Sequence, residues 1–167
     1  MQQAIIVKKM STADIEPVTS IYAEVLHPSY ISFSELAEGK AEGLGKLSDR
    51  AIDIFREQLV ALLDSDSHGF FVATVGDNIV GFVLASLHQT EAGHIECWVD
   101  DIGVRHKWQK NGIGKALVEQ ALDWGRQSRA KYFLLESGLK NESAHRLFEH
   151  LGFQPLSVVF WCDRTYQ

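Results

Sequence analysis

Residues 102–127 read IGVRHKWQKNGIGKALVEQALDWGRQ, and this stretch decides the fold of the 167-residue chain. An apolar run ends at Val104, and two glycines follow close together at Gly112 and Gly114. The residues after them carry an apolar stripe at helical spacing, made of Ile113, Leu117, Ala121 and Trp124. The sequence therefore predicts a strand, a glycine loop and a helix in direct succession.

Two well-known phosphate-binding motifs do not fit the glycine loop. The Walker A pattern fails because Gln109 stands where its first glycine is needed and Ala116 stands where it has Ser or Thr. The dinucleotide fingerprint fails because its third glycine position is Leu117. Backbone N–H groups at a glycine-rich helix start suit a pyrophosphate, but the same pattern is typical of a plain tight turn. The loop alone leaves both interpretations open.

The rest of the chain predicts one mixed α/β (α+β) domain over residues 1–167. The predicted order is β-α-α-β-β-β-α-β-α-β, with the glycine loop after the fourth strand. Residues 27–47 between the first two helices are predicted to be irregular. The predicted strands cover 4–7, a hairpin around 76–78, 94–104, 131–138 and 155–164, and the predicted helices cover 11–26, 48–64, about 113–127 and 141–152.

Composition excludes several function classes. A formal charge of −6, from 22 acidic and 16 basic residues, argues against a nucleic-acid partner and is compatible with a cationic one. The two cysteines predict neither a disulfide framework nor a metal site, so we expect no metal and a cytoplasmic location. No apolar stretch reaches the ~20 residues that a membrane span requires, so we expect no membrane association.

Two blocks in register carry a resemblance to a known family. Gln109, Gly112 and Gly114 resemble motif A of the GCN5-related N-acetyltransferases (GNAT), whose signature is Gln/Arg-x-x-Gly-x-Gly/Ala after the fourth strand. The second block, YFLLESGLKNESAHRLFEHLGF, resembles motif B of the family, with matches at Asn141, Ala144, Phe148, Gly152 and Phe153. The resemblance implies a central mixed, mostly antiparallel sheet flanked by four helices, with the fourth and fifth strands splayed apart.

The resemblance also implies an acetyl-CoA site. The main chain of Ile102, Gly103 and Val104 would pair with the pantetheine arm as an added strand does. Asn141 would touch the same arm, although Asn is also a preferred helix N-cap. The pyrophosphate would lie on Gln109, Lys110, Asn111, Gly112, Ile113, Gly114 and Lys115.

The implied reaction is direct transfer of an acetyl group to a primary amine. An alkylammonium has a pKa of ~10.4, so the site must remove a proton from it. We rank Glu96 and Asp101 first as proton acceptors or amine anchors, ahead of Asp100 and Glu136. Strand alternation places Asp101 on the opposite face from Glu96 unless a bulge intervenes.

One position departs from the family pattern. Many members place a tyrosine, the proton donor to the leaving thiolate, where this chain has Phe148. The thiolate could leave without an acid, or His145 could substitute, since it lies one helical turn before Phe148. The third possibility is a non-catalytic acyl-CoA-binding sensor of the same fold.

The acceptor is expected to be a cationic amine, such as a small amine, an aminoglycoside-like compound or a peptide N-terminus. In this fold residues 26–50 would shape the acceptor side. The apolar segment SVVFW, residues 157–161, allows a homodimer through edge pairing.

Overall fold

The computed structural model describes residues 4–162. Its elements, in chain order, are β1 (Ile5–Lys9), α1 (Ile15–Val25), α2 (Phe33–Ala37), β2 (Ala41–Gly43), β3 (Lys46–Leu47), α3 (Ala51–Leu62), β4 (His68–Val75), β5 (Asn78–Gln89), β6 (Ile95–Val104), α4 (Ile113–Gln127), β7 (Tyr132–Leu135) and α5 (Glu142–His150). The five-stranded sheet has the order β1-β4-β5-β6-β7, and only the β6–β7 pair is parallel. The predicted mixed, mostly antiparallel sheet is confirmed.

The chain forms two compact units. Of the described residues, the first contains 4–26 and 55–135, and the second contains 27–54 and 136–162. The expectation of a single domain over residues 1–167 stays a prediction.

Two sequence-based assignments were wrong. Residues 27–47 are not irregular, since they hold α2 and the β2–β3 hairpin. The signal for α2 was present: Ser32 and Glu35 form a capping box, in which the Ser32 N–H and hydroxyl both donate to the Glu35 carboxylate. The predicted last strand, 155–164, has no strand over 155–162, and its last two positions lie outside the described residues. Strand propensity in that apolar run is not sufficient without a partner ladder.

Each face of the sheet in the first unit buries its own apolar cluster. On one face, Tyr22 of α1 stacks on Phe55 of α3 with ring centroids 3.8 Å apart, above Phe82 of β5. On the other face, Leu117 and Ala121 of α4 cover the sheet. A fully buried Leu or Phe contributes about 1.5–3 kcal/mol, so these two clusters hold the sheet between its helices.

Helix α4 approaches the sheet closely because small residues lie at the contact. A Cβ atom on Gly125 would lie 2.7 Å from Cys97 Sγ and 2.7 Å from Phe133. A Cβ atom on Gly69 would lie 2.5 Å from the Trp124 indole, which packs against the α4-side cluster as its place on the apolar stripe predicted. The α4 backbone therefore packs directly against β6 and β7. This close packing determines the position of the glycine loop that precedes α4.

Strand β6 pairs with β7 over only part of its length. The parallel pairing covers Glu96–Val99 against Tyr132–Leu135, and β7 ends there. Residues 101–104 of β6 continue, and pair with β5 on their other side. This divergence is the splaying that the family resemblance implied for the fourth and fifth predicted strands.

The second unit is tied together by Glu136 and Gly138, which follow β7. Glu136 accepts hydrogen bonds from the Phe33 N–H at 3.0 Å and from the Ser34 hydroxyl at 2.5 Å, at the start of α2. Gly138 lies so close to residues 30–31 that a Cβ there would meet the Tyr30 carbonyl oxygen at 2.5 Å. Glu136 thus caps a helix in this unit.

Candidate active site

The glycine loop connects the end of β6 to the start of α4, and two of its residues have left-handed backbone conformations. Lys110 has φ 63°, and Gly112, the N-cap of α4, has φ 81°. Two side chains brace the loop from within: Gln109 Nε2 donates to the Val104 carbonyl at 3.0 Å, and Asn111 Nδ2 donates to the Trp108 carbonyl at 3.2 Å. The loop is therefore shaped by its own backbone and amides.

The start of α4 offers backbone donors. The N–H groups of Ile113, Gly114 and Lys115 precede the first helical hydrogen bond, which Ala116 makes to the Gly112 carbonyl. The Ile113 side chain is 1% exposed in the α4-side cluster and anchors this turn. A Cβ on Gly112 would meet nothing within 4 Å, so space for a ligand borders the backbone there. Free N–H groups and the positive end of the helix dipole fit a pyrophosphate.

The loop is anchored to α1 by a carboxylate that sequence reasoning missed. Glu24 accepts from Arg105 Nη1 at 2.6 Å and from the His106 N–H at 2.8 Å. The His106 hydrogen bond, with that of Arg105, holds the pKa of Glu24 below its ordinary value. No local pattern signals this contact, because Glu24 and Arg105 lie 81 positions apart.

A bulge in β6 rearranges its carboxylates. Asp101 lies opposite Leu84, while Val99 lies opposite the next residue of β5, so Asp100 is the inserted residue of the bulge. Asp101 consequently shares a face with Leu84, Trp98 and Glu96. Plain alternation, which placed Asp101 on the opposite face from Glu96, does not hold across the bulge.

The sheet face that carries Leu84, Trp98 and Glu96 is apolar at its centre and polar further along β5 and β6. His68, Ser86 and Trp98 form one row across β4, β5 and β6, and the next row places His88 opposite Glu96. Glu96 accepts a hydrogen bond from Trp98 Nε1 at 3.1 Å. The sequence-predicted carboxylates Glu96 and Asp101 are both half-buried here.

Asp100 belongs to a chain of three hydrogen-bonded side chains. The Ser86 hydroxyl donates to Asp100 Oδ1 at 3.0 Å, and Ser86 Oγ lies 2.9 Å from His88 Nε2. Ser86 and His88 were not among the site residues predicted from the sequence. Their spacing of two on a predicted strand was the available signal that they share a face.

The remaining predicted site residues lie in the second unit. Asn141 occupies the N-cap position of α5 but makes no side-chain capping hydrogen bond. His145 is half-buried in α5, and its N–H donates to the Asn141 carbonyl at 3.0 Å. Phe148 is buried and packs edge-to-face on Phe153, with ring centroids 6.2 Å apart. Cofactor-site and catalytic assignments in both units stay predictions.

Within residues 4–162, no group of three or more His, Cys, Asp or Glu side chains is arranged to hold a metal ion. No helix in the described part of the chain is long and apolar enough to cross a membrane.

The architecture is that of known N-acetyltransferases. The crystal structure of the aminoglycoside N-acetyltransferase AAC(6')-Iy in complex with CoA superposes with a TM-score of 0.73, covering 99% of this chain and 98% of that one at 15% identity. The chain belongs to the Acetyltransferase (GNAT) family, whose model matches residues 33–153. This confirms the family that the two motifs indicated.

Two curated relatives are named as N-acetyltransferases. The uncharacterized N-acetyltransferase MJ1207 of Methanocaldococcus jannaschii is 29% identical over 104 residues, or 59% of this chain and 44% of that protein. The uncharacterized N-acetyltransferase YhdJ of Bacillus subtilis is 28% identical over 114 residues, or 65% of this chain and 78% of that protein. The chain thus spans less than half of the archaeal relative.

Proposed function

We propose that this chain transfers an acetyl group from acetyl-CoA directly to a primary amine of a small molecule or peptide. The observation that carries the proposal is the continuation of β6 beyond its pairing with β7, which leads into the glycine loop and the N-terminus of α4. The CoA complex of the structural neighbour AAC(6')-Iy supports a CoA-type co-substrate. Acetyl as the acyl group, and direct transfer, belong to the proposal.

The cofactor would be held mainly by backbone. The main chain of Ile102, Gly103 and Val104 offers hydrogen bonds along the unpaired edge of β6, as an added strand requires. The loop and first helical turn, residues 109–115, offer N–H groups to the pyrophosphate. Lys110 and Lys115 would add positive charge, and Asn141 would contact the pantetheine arm. A bound acetyl-CoA supplies the activated thioester for the reaction.

Calorimetric titration with acetyl-CoA, and separately with CoA, tests the cofactor site. We expect micromolar binding by the wild type, and loss of binding in Gly112→Asp, because the variant adds a negative charge where the phosphates would lie and strains a left-handed residue. Gly93→Asp is the matched control, since Gly93 also has positive φ but lies in the β5–β6 turn. If the wild type bound neither compound, the glycine loop would be only a tight turn, and the proposed function would be wrong.

The acceptor amine would be cationic and would lie near the carboxylates of β6. We propose that Glu96 and Asp101 act there as proton acceptors or ammonium anchors. The name of the structural neighbour AAC(6')-Iy includes aminoglycosides, which are one class to include in the amine screen. Small amines and peptide N-termini are the other two. A cytoplasmic location and a homodimer through residues 157–161 remain predictions.

The proton for the leaving thiolate would come from His145 or from water, since Phe148 has no proton to give. We expect His145→Ala to leave acetyl-CoA affinity intact and to lower turnover by about 100-fold, at the low end of general acid catalysis. Calorimetry and the rate of CoA release measure the two quantities separately. His150→Ala, on an exposed position of the same helix, is the control. Unchanged turnover would remove His145 from the mechanism.

The second candidate function is a non-catalytic acyl-CoA sensor, which the buried Phe148 favours. Such a protein would bind acetyl-CoA in the titration but release no free CoA with any amine of the screen.

A further inference from the structure

The proton that leaves the acceptor amine has a route across the bulged strand. We propose that Asp100, Ser86 and His88 form a proton relay, in which Asp100 takes the amine proton and His88 releases a proton to solvent. Glu96 and Asp101 then act as the ammonium anchors. The inference rests on the proposed transferase function and deepens it by naming the groups that move the proton.

The burial of its central hydroxyl distinguishes this relay from ordinary hydrogen bonds at a protein surface. Ser86 is 4% exposed, whereas Asp100 and His88 are both exposed. A buried hydroxyl thus lies between two titratable side chains that solutes can reach, with contacts of 3.0 Å to Asp100 Oδ1 and 2.9 Å to His88 Nε2. Both distances are within the range for proton donation.

The pairing register of β5 and β6 brings Ser86, His88 and Asp100 into contact. Ser86 and His88 are two apart on β5 and therefore share a face. Asp100 is the extra residue of the β6 bulge, and its carboxylate reaches this face where Ser86 lies. A bulge is a common device for re-aiming a side chain beside an active site.

The proton transfers balance in four moves. The ammonium proton passes to Asp100, and the amine lone pair so freed forms the N–C bond to the acetyl carbonyl carbon while the C–S bond breaks and CoA leaves as the thiolate. The nitrogen of the new amide then loses its second proton to water. Asp100 then gives a proton to Ser86 Oγ as the Ser86 hydroxyl proton moves to His88 Nε2. The imidazolium of His88 releases a proton from Nδ1 to water, and the thiolate gains one from water or from His145.

Other charged groups face the relay. His68 on β4 lies opposite Ser86, and Glu96 on β6 lies opposite His88, with Asp101 on the same face. Burial, and then the charge of His88, lower the pKa of His68. We assign His88 as the outlet because its Nε2 lies 2.9 Å from Ser86 Oγ.

Kinetics on an amine found in the screen test the relay. We expect His88→Gln to lower kcat about 100-fold at neutral pH, with the KM for acetyl-CoA unchanged and the acidic limb of the pH profile displaced. Ser86→Ala should give the same loss, and added imidazole should restore activity to His88→Ala because the site is exposed. His150→Gln is the matched control and should keep the wild-type rate and profile. An active wild type whose His88 variants keep its rate and pH profile overturns the relay.

A second readout does not depend on turnover. NMR of the His88 imidazole follows its hydrogen bond to Ser86, and we expect the Nε2 chemical shift to change in Ser86→Ala, because that hydrogen bond is gone. Identical His88 chemical shifts in the wild type, Asp100→Asn and Ser86→Ala overturn the relay whether or not an acceptor is known. Failure of the proposed function looks different: the wild type would then bind acetyl-CoA and acetylate no amine.

Discussion

At the residue scale, the chemistry of β6 depends on which face each side chain takes. Cys97 points into the α4-side cluster and is fully buried, while Glu96 and Trp98 bond to each other on the opposite face. Asp100 and Asp101 follow two residues later and, through the bulge, reach the face of Glu96. One inserted residue thus gathers three carboxylates that strict alternation would have divided.

The two cysteines should differ sharply in reactivity. Burial, and then the charge of Asp100, raise the pKa of Cys97 to about 11, whereas Cys162 is exposed. Since the thiolate is the reactive form, we expect a disulfide reagent at about pH 8 to modify Cys162 quickly and Cys97 only after denaturation.

Counting released reagent in native and denatured protein checks this expectation. Cys162→Ser should leave no fast thiol in the native protein. Two fast thiols in the native wild type would contradict the burial of Cys97.

At the element scale, α4 acts as the support of the glycine loop. The position of α4 is set by the close contact of Gly125 with Cys97 of β6 and by the buried Ile113 at the start of the helix. Sequence periodicity predicted the buried stripe of this helix correctly, because period 3.6 is a local property. It could not predict the contact between Gly125 and Cys97, which depends on how the helix crosses the sheet.

Gly125→Ala should destabilise the fold even though Ala favours a helix over Gly by about 1 kcal/mol. The added Cβ would lie 2.7 Å from Cys97 Sγ, and overpacking of this kind costs about 1–3 kcal/mol. Urea unfolding measures the change in free energy. Gly43→Ala is the matched control, since a Cβ there meets nothing within 4 Å. Equal or greater stability of Gly125→Ala would show that α4 can shift away from the sheet.

At the scale of the whole molecule, the charge balance should affect acceptor choice. The net charge of −6 attracts a cationic amine, and salt screens that attraction over a Debye length of ~10 Å at 0.1 M. We therefore expect kcat/KM for a cationic acceptor to fall several-fold between about 0.01 M and about 0.5 M salt.

Steady-state kinetics at saturating acetyl-CoA measure this dependence. An amine of low pKa, neutral at the assay pH, is the control and should respond little to salt. Better turnover of neutral or anionic amines at every ionic strength would contradict a cationic acceptor.

The sequence by itself determined the strand, glycine loop and helix order, the four main helices and the family. These signals are local: glycine permits φ values such as that of Gly112, and side-chain periodicity distinguishes helix from strand. Only the tertiary structure decided that Glu24 holds the loop, that Glu136 caps α2, and that Ser86 and His88 meet Asp100. Those contacts join residues far apart in sequence, and they depend on strand register and on a bulge, which arise only when the strands pair.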